Sequence, residues 1–306
     1  MKSKLPSLAF AFLTAIISGI SIFVNKFAVG IIQPPVTFTF SKNILAGLIL
    51  IAIIIFSKKY RLLSRYTFKN FLQLFLVGLI GGSIPFYLYF TGLQQTSAIN
   101  AAIIHKTLAL WIILYTLIIR KEKLHPMIYI SFATIISANF IVGGFSGFKF
   151  NTAEIMILAA TILWSVENII SKNILNHIDP TILAASRLFI GSIILFPFTS
   201  PAKTPQSFTP THIAIYLSTV IFLVLYNLSW YHALKRLSVS TASVILTLST
   251  LITNVLSSVF ITHNFSSLAN FQTTLFLAGA LLLITHYLKE NQSKDLNTSS
   301  VQNSNL

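Results

Sequence analysis

Apolar residues run along this chain in long unbroken stretches, with short polar or basic connections between them. Ten stretches stand out, roughly 7–28, 35–56, 70–91, 97–119, 126–145, 153–173, 180–198, 211–232, 240–262 and 268–288. A helix needs about 20 such residues to cross a hydrocarbon layer about 30 Å thick. The pattern therefore predicts an all-α polytopic membrane protein with ten transmembrane helices. The first run follows two lysines, as in a secretory signal. It is long and lacks a clean small-residue cleavage site, so it reads as a membrane helix. The polar stretch from Lys289 onward lacks aromatic residues and is predicted to be disordered.

Composition agrees with this picture. Of 306 residues, 55% are hydrophobic and only 9% are charged. Net charge is +15, which alone would admit a nucleic-acid partner. The basic residues lie between apolar runs instead of on one soluble face, so none is expected. In alternate connections Lys and Arg number fifteen on one side, from Lys2 to Lys294, against Lys149 and Lys203 on the other. The positive-inside rule then places both termini in the cytoplasm of a cell inner or plasma membrane. Without cysteine the chain has no disulfide, thiolate metal site or cysteine nucleophile. It also carries no HExxH, Walker A or GxSxG motif. No cofactor, enzymatic activity or direct ATP drive is expected.

The chain repeats itself. "PPVTFTFSKNILAG" lies over "DPTILAASRLFIG", pairing Pro35 with Pro180, Ser41 with Ser186 and Lys42 with Arg187. "SGISIFVNK" ending at Lys26 lies over "WSVENIISK" ending at Lys172. "GLQQTSAINAAII" from Gly92 lies over "ALKRLSVSTASVI" from Ala233. Five spans per half is an odd number, so the halves enter the membrane in opposite senses. That is an inverted repeat, a construction common in secondary transporters. The halves are expected to be residues 1–146 and 147–288, with 289–306 as a cytoplasmic tail.

The segments "YFTGLQQTSAINAAI", "ILAATILWSVENIISKNIL", "AASRLFIG" and "WYHALKRLSVSTASV", with Glu122 closing span four, resemble the drug/metabolite transporter superfamily. The likeness is to its EamA-type ten-helix members and covers most of residues 7–288. It implies export or exchange of small metabolites by alternating access. The chain departs from that pattern in three places. It lacks a proline inside spans four and nine, it has His263 where an acidic residue commonly closes span nine, and it has Lys42 for the usual arginine of span two.

Ionisable residues inside the spans are the sharpest candidates, because each costs at least about 2.5–3.5 kcal/mol at a helix centre. Lys42 falls roughly 10 Å along a helix that begins at Pro35. It could snorkel to the interface or face a cavity, and Arg187 poses the same choice from the opposite side. Lys106 is deeper. His105 beside it points about 100° away on an ideal helix. Glu167 is the one carboxylate well inside a run. It is either a proton-sensitive group or a fixed partner for Lys106 or Arg187, and Trp164 shares its helical face. Three deep cations against one carboxylate favour an anionic substrate such as an amino acid or another carboxylate.

The candidate pathway is therefore Lys42, Lys106, Glu167, Arg187, Trp164, Tyr87 and Tyr226, with Glu167 or His105 for proton coupling. Gly78 and Gly82 have the spacing of a close helix contact, and Pro85 is placed to kink span three. The expected partners are a small-molecule metabolite, membrane lipid, and a proton or counter-substrate. A monomer and a homodimer both remain open. The alternative function is a non-transporting membrane subunit or scaffold.

Overall fold

A computed structural model describes residues 5–93, 95–96, 98–121, 123–140, 148–201, 209–257, 259–260, 271 and 273–286. Glu122, His263, the tail from Lys289 and the side chain of Lys26 lie outside the described residues. All regular elements are helical. Among the described residues six helices are long and apolar enough to cross a membrane, and four shorter apolar ones complete ten spans.

In chain order the spans are α1 (Leu5–Ala28) and α2 (Pro35–Phe56), then α3 (Phe68–Val77) continuing through a π-helical segment (Gly78–Ser83) into α4 (Ile84–Leu93). The fourth span is split into α5 (Ala98–Lys106) and α6 (Leu108–Ile118), and α7 (Pro126–Phe140) is the fifth. The second half has α8 (Thr152–Ile174), α9 (Pro180–Leu195) and α10 (Pro210–Arg236). Its fourth span is split into α11 (Val239–Thr247) and α12 (Ser249–Ser257), and α13 (Thr273–His286) closes the bundle. Helix starts carry their local signals. Pro35, Pro180 and Pro210 sit at first helical positions, and Asp179, Thr209 and Ser238 cap N-termini with their side chains.

Packing follows the repeat. α1 lies on α10, and its counterpart α8 lies on α4; α2 and α9 pair with each other, as do α6 and α11. The α2–α9 approach uses small residues. Gly47 of α2 sits against the Phe189 backbone of α9, and on another side of α9 Gly191 meets Gly82 of span three face to face. A Cβ on Gly82 would overlap the Arg187 carbonyl, so the expected close contact at Gly78 and Gly82 is present. Outward faces carry Leu48, Ile49, Phe75, Ile221 and Leu281, side chains suited to lipid.

Polar contacts tie each end of the bundle. At one end Lys59 Nζ donates to Asp179 Oδ1 (3.0 Å) and Thr181 Oγ1 (2.8 Å), and Tyr66 Oη accepts from the Asp179 N–H (3.0 Å). Burial alone would raise the Asp179 carboxyl, but the hydrogen bonds from Lys59 and the Thr181 N–H hold it below the ordinary range. At the same end Lys172 Nζ donates to the carbonyls of Leu234 (2.7 Å) and Lys235 (3.3 Å), which close α10. At the other end Glu154 accepts from Asn100 Nδ2 (2.7 Å) and from the N–H groups of Lys149 and Phe150 (2.8 Å each).

Candidate functional site

Span three creates the site. Pro85 has no N–H, so in a regular helix the carbonyl of Gly81 would lose its partner. The chain resolves this with the π-helical segment, in which the Ile84 N–H reaches back to Leu79 O. The released Gly81 carbonyl then accepts from Trp164 Nε1 (3.0 Å) and Arg187 Nε (3.3 Å). Three helices thus meet on one backbone oxygen. Gly81 must be small there, because an added Cβ would collide with Glu167 Cγ.

Arg187 is 7% exposed and Glu167 is wholly buried. Their closest charged atoms, Nη2 and Oε2, are 3.8 Å apart. Arg187 Nη1 also donates to Asn227 Oδ1 (3.3 Å). Glu167 Oε1 accepts from Ser171 Oγ (2.5 Å) and Tyr231 Oη (2.7 Å). Of the two partners open to Glu167 in the sequence, the structure selects Arg187.

Trp164 links this pair to a ring cluster. Its ring lies 4.9 Å from His105, 5.5 Å from Tyr89 and 5.3 Å from Phe86. Phe86 stacks on Phe90 at 6.2 Å, and Lys42 Nζ lies 5.9 Å from the Phe90 ring and 5.0 Å from Phe38. Lys42 is 4% exposed, so it does not snorkel, and its hydrogen bond goes to Asn25 Oδ1 (3.2 Å). Asn43 beside it is wholly buried, and neither atom of its amide has a hydrogen-bond partner among the described residues.

Lys106 stands apart from the ring cluster. It is 5% exposed, at the end of α5, and donates to Ser249 Oγ (2.8 Å) at the start of α12. It therefore bridges the breaks of the two split spans. At each break the helix tightens locally: Thr107 N–H bonds Ile104 O and Leu248 N–H bonds Ile245 O, pairs three residues apart. No proline is needed for either break.

Lys42, Trp164, Glu167, Arg187 and His105 thus form one connected set, and Lys106 is next in sequence to His105. Tyr87 is directed elsewhere, with its ring 5.1 Å from Phe198. Tyr226 stacks on Trp230 at 6.4 Å, one residue before Asn227, and lies close enough to Arg187 and Glu167 to interact electrostatically with both. Tyr89, Asn25, Ser171, Tyr231 and Ser249 complete the network. These five are not distinguished by type or spacing from other polar residues on membrane helices. Among the described residues no group of His, Asp and Glu could hold a metal ion.

Ten apolar spans in two packed halves, with buried charge where the halves meet, define a polytopic membrane transporter. The chain belongs to the EamA-like transporter family, whose profile matches residues 5–144 and again 151–285. It is 26% identical over 222 residues to an uncharacterized transporter of Archaeoglobus fulgidus, covering 69% of this chain and 74% of the relative. A second uncharacterized transporter, from Methanothermobacter thermautotrophicus, is 23% identical over 232 residues, 72% of this chain and 66% of that protein. In fold the chain is similar to a protein of known crystal structure. The TM-score is 0.78 at 15% identity, over 94% of this chain and 99% of the other.

Proposed function

We propose that this transporter is a secondary carrier that moves a small polar metabolite bearing a carboxylate or similar anionic group. Alternating access of the two halves around Lys42, Lys106 and the Arg187–Glu167 pair is the mechanism that the inverted repeat supports. On this reading both termini lie in the cytoplasm of the inner or plasma membrane, which the excess of basic residues in alternate connections supports. One observation carries the choice of substrate. Arg187 has a carboxylate, whereas among the described residues Lys42 and Lys106 donate to neutral oxygens only. Two buried ammonium groups without counter-charge are costly unless an anion joins them during the cycle. In a proton-coupled cycle the titrating group is Glu167 or His105.

The scaffold reading expects every deep charge to be paired internally. Arg187 and Glu167 fit that expectation; the two lysines do not. The test is uptake of carboxylate metabolites into liposomes holding the purified protein. Lys42→Met and Lys106→Met should each raise KM at least about tenfold, a loss of about 1.4 kcal/mol in binding, while the protein stays folded. Undiminished uptake by both variants would overturn the anionic-substrate reading.

A further inference from the structure

The connection between α2 and α3 carries an exposed basic surface. Residues 57–69, "SKKYRLLSRYTFK", hold five cations and no acid. Lys59 is engaged by Asp179 and Thr181. Lys58, Arg61, Arg65 and Lys69 are exposed, and their side chains have no hydrogen-bond or ion-pair partner among the described residues. The connection between α9 and α10, its equivalent in the other half, has Lys203 alone.

Local structure fixes where these charges sit. α2 has 22 residues, about 33 Å, which matches a hydrocarbon layer of about 30 Å. Phe56 at its end is 86% exposed and marks the edge of that layer, as does Phe68, 84% exposed, at the start of α3. Between them Lys58 takes the left-handed conformation (φ 56°), where glycine is the usual residue after a helix. The chain turns there into a 3₁₀ helix, Lys59–Arg65, about 14 Å long at about 2.0 Å per residue. Because it joins the ends of two membrane spans, it lies across the end of the bundle at headgroup depth. Leu62, Leu63 and Tyr66 pack against the core, and Lys59 and Tyr66 are tied to Asp179. Residues three apart eclipse in a 3₁₀ helix, so Lys58, Arg61 and Ser64 form one outward row, with Arg65 and Lys69 following.

We propose that this segment is a docking surface for anionic phospholipid headgroups. The positive-inside bias accounts for the side of the membrane on which the cations lie. It requires neither a folded segment pinned to the bundle nor a single outward face. Four uncompensated cations spread along one face suit a partner that is itself extended. A leaflet presents phosphates side by side at this depth, whereas one soluble oxyanion meets only one or two of the charges. The phenyl rings at both ends hold the segment at the boundary where those phosphates are. The surface shares no residue with the Lys42–Arg187 network and does not depend on what that network carries.

The experiment is thermal unfolding of the full-length protein in a neutral detergent, titrated with dihexanoyl phosphatidylglycerol. Dihexanoyl phosphatidylcholine and inorganic phosphate are the comparison probes. A saturable rise in Tm is expected with phosphatidylglycerol alone. It should fade as salt is raised from about 0.1 to about 1 M, where the screening length falls from about 10 to about 3 Å. Arg61→Gln combined with Arg65→Gln should weaken the apparent affinity roughly thirtyfold, about fivefold for each charge. Both side chains are exposed, so the Lys59–Asp179 tie stays in place. Lys121→Gln combined with Lys123→Gln removes the same charge from another connection at the same end and should leave the affinity unchanged. No saturable rise with phosphatidylglycerol, or an equal rise with phosphatidylcholine or inorganic phosphate, would overturn the proposal. So would undiminished affinity in the double arginine variant, or an equal loss in the double lysine variant.

Discussion

Lys42 and Arg187 occupy equivalent places in the two halves, yet their surroundings differ in one decisive respect. In the alignment that puts Lys26 over Lys172, Asn25 falls over Ser171 and Ser21 over Glu167. The local geometry is conserved across that match. Asn25 Nδ2 donates to Ser21 Oγ (3.1 Å) much as Ser171 Oγ donates to Glu167 Oε1 (2.5 Å). In the second half a carboxylate completes the motif and neutralises Arg187. In the first half a serine stands in its place, and among the described residues no carboxylate pairs with Lys42. The fold is duplicated but the charge is not. One half therefore holds a closed ion pair and the other an open cation.

The largest effect should come from opening the closed half. Glu167→Gln keeps the shape but leaves Arg187 buried without a counter-charge, which should cost roughly 3–5 kcal/mol in reversible unfolding in detergent. Adding Arg187→Met to that variant should recover much of the loss. Transport by Glu167→Gln with its full pH response intact would remove Glu167 as a coupling group. Next comes the reverse change. Ser21→Glu supplies Lys42 with the carboxylate its counterpart already has, and should reduce uptake of an anionic metabolite about tenfold, about 1.4 kcal/mol. Unchanged uptake would mean that Lys42 does not meet the anion.

The smallest effect belongs to a pair outside the membrane core. Lys59–Asp179 is partly exposed, with side chains 30% and 17% accessible, and contributes at most about 1 kcal/mol. The folded-state pKa of Asp179 lies below its ordinary value of 3.8. The contribution is therefore full above that value and is lost as pH falls through the folded-state pKa. Asp179→Asn should lower the unfolding midpoint slightly at neutral pH, and the difference from the parent should vanish in acid. A difference that persists at low pH would place its origin in the helix cap and not in the charge.

Much of this was legible in the sequence. The ten spans follow from run length, and the Lys42–Arg187 equivalence follows from proline and serine landmarks at matching positions. The family resemblance agrees with both. Glu167 was evident as a candidate, but its partner was not. Lys106 and Arg187 are both deep cations, and only the relative rotation of α8 and α9 places Arg187 beside it. The splits at Thr107 and Leu248 have no glycine or proline to announce them; they arise where two spans cross and a lysine bridges the gap. Glu154 was more readable in principle. Asn151 followed by Glu154 is a helix-start signature, and the Asn151 side chain does accept from the Glu154 N–H (2.9 Å).

The π-helical segment at Gly78–Ser83 has a consequence for aim as well as for bonding. Such a segment amounts to one surplus residue in the helix, and each residue of a helix turns it by about 100°. All of span three beyond Ser83 is therefore rotated by about that angle from the phase a regular helix would give it. That rotation decides that Phe86 and Tyr89 look toward Trp164 while Tyr87 looks toward Phe198. The surplus residue works as a phase shifter, selecting which aromatic stripe of span three faces the charged network.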